Sequence, residues 1–242
     1  MQRTCLLCAL LFAIVLTEGR GQITLVGDAT IGTDGFPPAV FLDPPDTDSL
    51  EVAGGLLLSL YDGDWQYVVP NVGPQSEQTI FVSAYQVFSV GPLPVRVNSL
   101  SLDANFKIVN GGGNSNWPKT SVLRRAVIFD AGGGPVILRT QGGVTDLTGN
   151  GLAIIDETTT SSQTPYILGG GLSYALQIDF LTTVQGPSEN ELVPRSSVTA
   201  EFGGISSFEG FTASFTYETV PEPQAAMLLA SASGLLLGRR RR

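Results

Sequence analysis

The stretch Gly171–Val184, GLSYALQIDFLTTV, decides how the rest of the chain is read. In an extended backbone successive side chains point to opposite sides, so Leu172, Tyr174, Leu176, Ile178 and Phe180 share one face. Ser173, Gln177 and Asp179 share the other. A period of two with one apolar face predicts a half-buried strand of an antiparallel sheet. The same pattern returns in FTASFTYETV (211–220), where Phe211, Ala213, Phe215 and Tyr217 oppose Thr212, Ser214, Thr216 and Glu218.

Working outward, further apolar or alternating runs stand at 22–27, 56–61, 65–69, 79–90, 104–109, 121–130 and 135–140. Glycine-rich segments separate them, among them GGGNSNWP, AGGGP and QGG, and helical periodicity is nearly absent. Many short strands with this punctuation predict an all-β body, an antiparallel β-sandwich of jelly-roll-like type. Asp62-Gly63 within YDGDWQ is a two-residue turn signal and predicts a hairpin between the runs at 56–61 and 65–69. Residues 28–50, rich in Pro and Asp, read as irregular. No linker-like stretch divides the body, which reads as one domain over 22–219.

The two ends differ from the body. Residues 1–21 place Arg3 before an apolar run from Cys5 to Leu16, with Gly19 and Gly21 at the −3 and −1 positions of a cut before Gln22. That layout predicts a secretory signal peptide, handled by the Sec translocon and signal peptidase. Both cysteines, Cys5 and Cys8, lie inside it, and the chain has no histidine. The exported chain would therefore lack disulfides, Cys-His and Ser-His-Asp catalysis, and the common zinc sites.

Residues 220–242 read VPEPQAAMLLASASGLLLGRRRR. Ala225 to Gly238 would make a short apolar helix of roughly 21 Å at about 1.5 Å per residue. That is short against a hydrocarbon core of about 30 Å. Arg239, Arg240, Arg241 and Arg242 would remain cytoplasmic and act as a stop-transfer brake. Pro221 and Pro223 favour extended backbone around Glu222. The tail resembles the PEP-CTERM sorting signal of Gram-negative bacteria, a region also catalogued as an "ice-binding protein C-terminal" motif. The resemblance rests on Pro221-Glu222-Pro223, the short apolar segment and the terminal basic cluster. It implies recognition and removal of the tail by an exosortase-type membrane peptidase. It also implies transient anchoring in the inner membrane and delivery to the cell surface or extracellular matrix. A plain C-terminal anchor without processing is the alternative.

Removing the ends sharpens the charge. Without Arg3, Arg20 and the four terminal arginines, 7 of 13 basic residues remain; without Glu18 and Glu222, 20 of 22 acidic residues remain. The body then carries −13 against −9 for the whole chain, which disfavours nucleic acid and anionic lipid as partners.

Three candidate chemistries remain in the body. The first is calcium. DLTGNGLAIIDE (146–157) matches a calcium-binding loop in part, with Asp146 at position 1, Asn150 at 5, Gly151 at 6 and Glu157 at 12. Thr148 and Ala153 break the pattern, and a turn built on Gly149 and Asn150-Gly151 accounts for the same residues. The acidic group Asp43, Asp46, Asp48 and Glu51 poses the same question. The second is carbohydrate binding, for which Tyr61, Trp65, Tyr67 and Trp117 would supply stacking surfaces or simply fill a core. The third is glycan hydrolysis or lysis through paired carboxylates such as Asp62 and Asp64 beside Trp65. The sequence is read first as a non-enzymatic structural or adhesive protein without a cofactor. A lectin-like module that binds extracellular polysaccharide is the runner-up.

Overall fold

The computed structural model describes residues 22–35, 40–41, 46–61, 65–70, 77–111, 116–186, 197–203 and 210–220. The signal segment and the tail, with Pro221, Glu222, Pro223 and Arg239–Arg242, lie outside the described residues. Among the described residues no helix is long and apolar enough to cross a membrane. They form sixteen strands in two antiparallel sheets packed as a sandwich.

In the first sheet, β1 (Ile23–Leu25) and β2 (Thr30–Gly35) follow one another along β7 (Glu77–Val90). Then come β14 (Ser173–Gln185) and β9 (Lys119–Asp130), with β10 (Val136–Gln141) and β11 (Thr145–Thr148) along its far side. The second sheet is centred on β8 (Val95–Gly111). One side of β8 carries β12 (Gly151–Thr160) and β13 (Tyr166–Leu168). The other carries β16 (Gly210–Thr219) and β15 (Ser197–Gly203). These pair in turn with β5 (Gly55–Tyr61) and β6 (Trp65–Pro70), and those with β4 (Asp46–Val52) and β3 (Val40–Phe41). Consecutive long strands alternate between the sheets, the trait expected of a jelly-roll-like sandwich.

Two local expectations are corrected. β5 and β6 make no hairpin: β5 pairs with β16 and β4, and β6 with β15 and β3. A turn dipeptide is a local signal, and here strands about 140 residues away in sequence take both partners' edges. The Pro- and Asp-rich region 28–50 is not irregular throughout, because it supplies β2, β3 and β4. All three lie at sheet borders, where polar side chains are tolerated.

The core is built from the expected faces. On β14, Tyr174, Leu176, Ile178 and Phe180 point inward, and Phe211, Ala213 and Phe215 do the same on β16. Phe106 packs against Phe180 and Phe211, and Phe88 against Tyr174 and Phe215, with ring centroids 4.9–5.9 Å apart. Each fully buried phenylalanine contributes about 1.5–3 kcal/mol of transfer energy. Leu172 lies outside this face; it precedes the strand and is half exposed.

Polar links join the two sheets. Ser49 Oγ of β4 donates to Gln86 Oε1 of β7 at 2.7 Å. Thr120 Oγ1 of β9 donates to Asn110 Oδ1 of β8 at 2.7 Å, and Asn110 Nδ2 donates to the carbonyls of Pro118 and Leu147. Arg124 of β9 reaches Glu157 of β12. Both ends of the body rest on one turn: Gln22 Nε2 donates to the Leu93 carbonyl, and the Val220 amide donates to that of Pro94.

Candidate functional site

Sheet register gives each outward face its chemistry, because residues directly opposed across antiparallel strands lie on the same side. On the second sheet the outward rows are hydroxyl ladders. Ser99 meets Thr216 at 2.6 Å, Ser101 meets Ser214 at 2.8 Å, and Ser59 faces Thr212 at 3.4 Å. Beside them Asp103, Asn105, Asp156, Glu157, Thr158 and Thr212 border a shallow hollow of about 320 Å³.

The outward face of the first sheet is different. Phe81, Leu181 and Leu123 form one partly covered apolar row. Tyr85, Gln177 and Val127, continued by Arg139 of β10, form a mixed row, and Ser83, Asp179 and Arg125 lie between the two. Asp179 points outward, as its place in the alternation requires, yet its side chain is only 3% exposed. Arg125 Nε donates to its Oδ2 at 2.5 Å, and Gln177 Nε2 donates to its Oδ1. Arg125 remains 44% exposed and Tyr85 39%. Asp179 thus works as a sunken acceptor that fixes two donors at the surface. The terminal nitrogens of Arg125 and the Oε1 of Gln177 take no protein partner among the described residues.

The calcium-like segment lies on two strands and a turn. Asp146 stands on β11 opposite Ser121, in a shallow hollow of about 410 Å³ that also holds Lys119. Gly149 takes a left-handed φ of 75° and donates its amide to the Pro118 carbonyl, and Asn150 follows in the turn. Glu157 stands on β12 in the other sheet, where Arg124 holds its carboxylate. Among the described residues no group of three or more His, Cys, Asp or Glu is placed to hold a metal ion. Of the acidic group, Asp43 lies outside the described residues; on β4, Asp46 and Asp48 accept the amides of Thr47 and Ser49.

Trp117 offers no stacking surface. It is 8% exposed, and Lys119 Nζ sits 4.5 Å from its ring centroid. The side chains of Tyr61, Trp65 and Tyr67, and residues Asp62 and Asp64, lie outside the described residues. Sequence reasoning placed Gln177 and Asp179 outward but passed over Tyr85 and Arg125. A usable signal was the charged pair Arg124-Arg125 between the apolar stretches Val122-Leu123 and Ala126–Phe129.

The described residues define an antiparallel β-sandwich protein with two unlike outward faces. No family model matches the chain, and no curated protein matches it. Among solved structures it is similar to TmCBM61 in complex with β-1,4-galactotriose, at 9% identity over 76% of this chain and 86% of that one, with a TM-score of 0.28. It is also similar to the family 11 carbohydrate-binding module of the cellulosomal cellulase Lic26A-Cel5E of Clostridium thermocellum. There the identity is 8% over 81% of this chain and 89% of that one, with a TM-score of 0.18. A CocE/NonD family hydrolase from Staphylococcus aureus is similar over 62% of this chain and 36% of that one, at 6% identity and a TM-score of 0.20. The likeness concerns strand arrangement alone.

Proposed function

We propose that the chain is an exported, non-catalytic protein of the cell surface or extracellular matrix, with a structural or adhesive role. In this reading an exosortase-type peptidase removes the PEP-CTERM-like tail. One observation supports it: the described strands run from Ile23 to Thr219, the interval that the sequence reading leaves between a signal-like and a PEP-CTERM-like stretch. Gln22 and Val220 are both held by the 91–94 turn, so the first and last described residues lie at the same end of the body. Intact-mass analysis of protein recovered from medium and from membranes tests it. The expected product begins at or near Gln22 and lacks Arg239–Arg242. Full-length chain retained in membranes with all four arginines would overturn it. Replacing Pro221-Glu222-Pro223 by alanines is expected to leave the precursor in the inner-membrane fraction.

A second reading, binding of extracellular polysaccharide, is favoured by the exposed Tyr85 set among fixed hydrogen-bonding groups on the first sheet.

A further inference from the structure

We infer that the outward strip of Tyr85, Gln177 and Arg125, set by the sunken Asp179, is a binding site for an uncharged polysaccharide. This rests on the polysaccharide reading above and names its site and ligand class.

The first support is the cost of the arrangement. A carboxylate removed from water loses hydration that its ion pair only partly returns, so such a pair adds little net stability. A strand needing only an outward residue at position 179 is served as well by threonine or serine. Asp179 does something those residues do not: its two oxygens hold Arg125 Nε and Gln177 Nε2 at once. The guanidinium is planar, so fixing Nε fixes the direction of its remaining donors. Gln177 is likewise held with its Oε1 as an acceptor. A rigid donor beside a rigid acceptor matches the vicinal hydroxyls of a sugar ring, each of which donates and accepts.

Tyr85 supplies the other half. It is the direct cross-strand neighbour of Gln177 and lies two strands across and two residues along from Arg125, about 12 Å at the usual strand spacing and rise. That span suits a short run of sugar units. An aromatic face carries negative potential and suits the apolar, C–H-lined face of a pyranose. Orientation by a few fixed polar groups beside apolar surface is the usual composition of such a site.

Charge selects the class of sugar. The strip's own guanidinium, carboxylate, carboxamide and phenol sum to zero, which complements a neutral polyol; a second cation, Arg139, stands one strand further along the row, beyond Val127. A phosphate or carboxylate ligand would meet the Asp179 charge beneath Arg125 and the chain's overall charge of −9. At the border formed by β2, Gly32 opposes Ser83 without a side chain and the small Thr30 stands beside Tyr85, so a polymer can run across the strands.

Affinity electrophoresis of the full chain through gels containing a soluble β-glucan, galactan, mannan, xylan or polygalacturonate tests the proposal. At least one neutral polymer is expected to retard the protein. Tyr85→Ala and Gln177→Ala should each weaken that retardation at least tenfold, and Arg125→Lys should weaken it despite keeping the charge. Ser101→Val, on the other sheet, should leave it unchanged, and Tyr85→Ala should keep the parent thermal midpoint. Retardation by a neutral polymer that survives Tyr85→Ala and Gln177→Ala overturns this site but leaves the polysaccharide reading standing. Retardation by polygalacturonate alone overturns the uncharged class. A dimer abolished by Tyr85→Ala, with no polymer bound, assigns the strip to a second copy of the chain and overturns the proposal. No retardation by any polymer overturns both site and reading.

Discussion

Arg124 and Arg125 are neighbours in the chain and lie on opposite faces of β9. Each holds one carboxylate, but the burial is reversed. Arg124 is 2% exposed and its partner Glu157 31% exposed, whereas Arg125 is 44% exposed and Asp179 only 3%. The inward pair crosses from one sheet to the other, with Nη2 and Nε of Arg124 at 2.5 and 2.7 Å from Glu157 Oε1, and Nη1 donating to Thr145. The outward pair stays within one sheet, on its surface. With the cation buried, the bridge closes the gap between layers; with the anion buried, the cation is aimed at solvent. The same two residue types therefore do different work, and the difference comes from which end of the pair loses its water.

That contrast sets the order of expected effects. Arg124→Ala should be the most damaging, because it removes a fully covered side chain from against Phe106 and leaves Glu157 unpaired. A loss of about 3–5 kcal/mol in urea unfolding is expected, and a loss below about 1 kcal/mol would mean that the buried cation does not close the gap between the sheets. Gly142→Ala comes next. A β-carbon there would land on the Glu157 carboxylate and within 2.8 Å of Arg124 Cγ and Nε. Displacing the inward pair in this way should cost about 1–3 kcal/mol by the same measurement. Asp179→Ala should cost about 1–2 kcal/mol, since the half-exposed Arg125 can regain water, while abolishing polymer retardation. An equal effect of Asp179→Ala and Arg124→Ala on unfolding would erase the contrast. The smallest effect belongs to the second sheet: Ser101→Val with Ser214→Val removes both partners of one half-buried pair together and should stay within about 0.5 kcal/mol.

Much of this architecture could be read from the residues. The alternation in 171–184 and 211–220 located two central strands and their buried faces, because a half-buried strand writes its burial directly into the sequence. Partnership was not legible in the same way. Asp62-Gly63 advertises a local turn, while β5 and β6 answer to β16 and β15, which arrive far later in the chain. The border strands in 28–50 escaped notice because edges accept the polar residues that otherwise mark loops. The candidate strip was half legible. The alternation turned Gln177 and Asp179 outward, but only register brings Tyr85 and Arg125 beside them, and register is a long-range property. The calcium-like spacing at 146–157 shows the converse: residues at suggestive intervals were spread over two strands of different sheets.

The seating of Gln22 and Val220 on one turn has a mechanical consequence. A pull on the chain beyond Val220 runs along the axis of β16, whose residues 211–219 are bonded to β8 and 210–216 to β5. Ladder bonds lie perpendicular to the strands. Such a tensile load strains both rows in shear at once instead of unzipping them one rung at a time. A sandwich gripped by the opposite sheet and tugged through this end would therefore resist rupture, as a lap joint does, without any covalent crosslink.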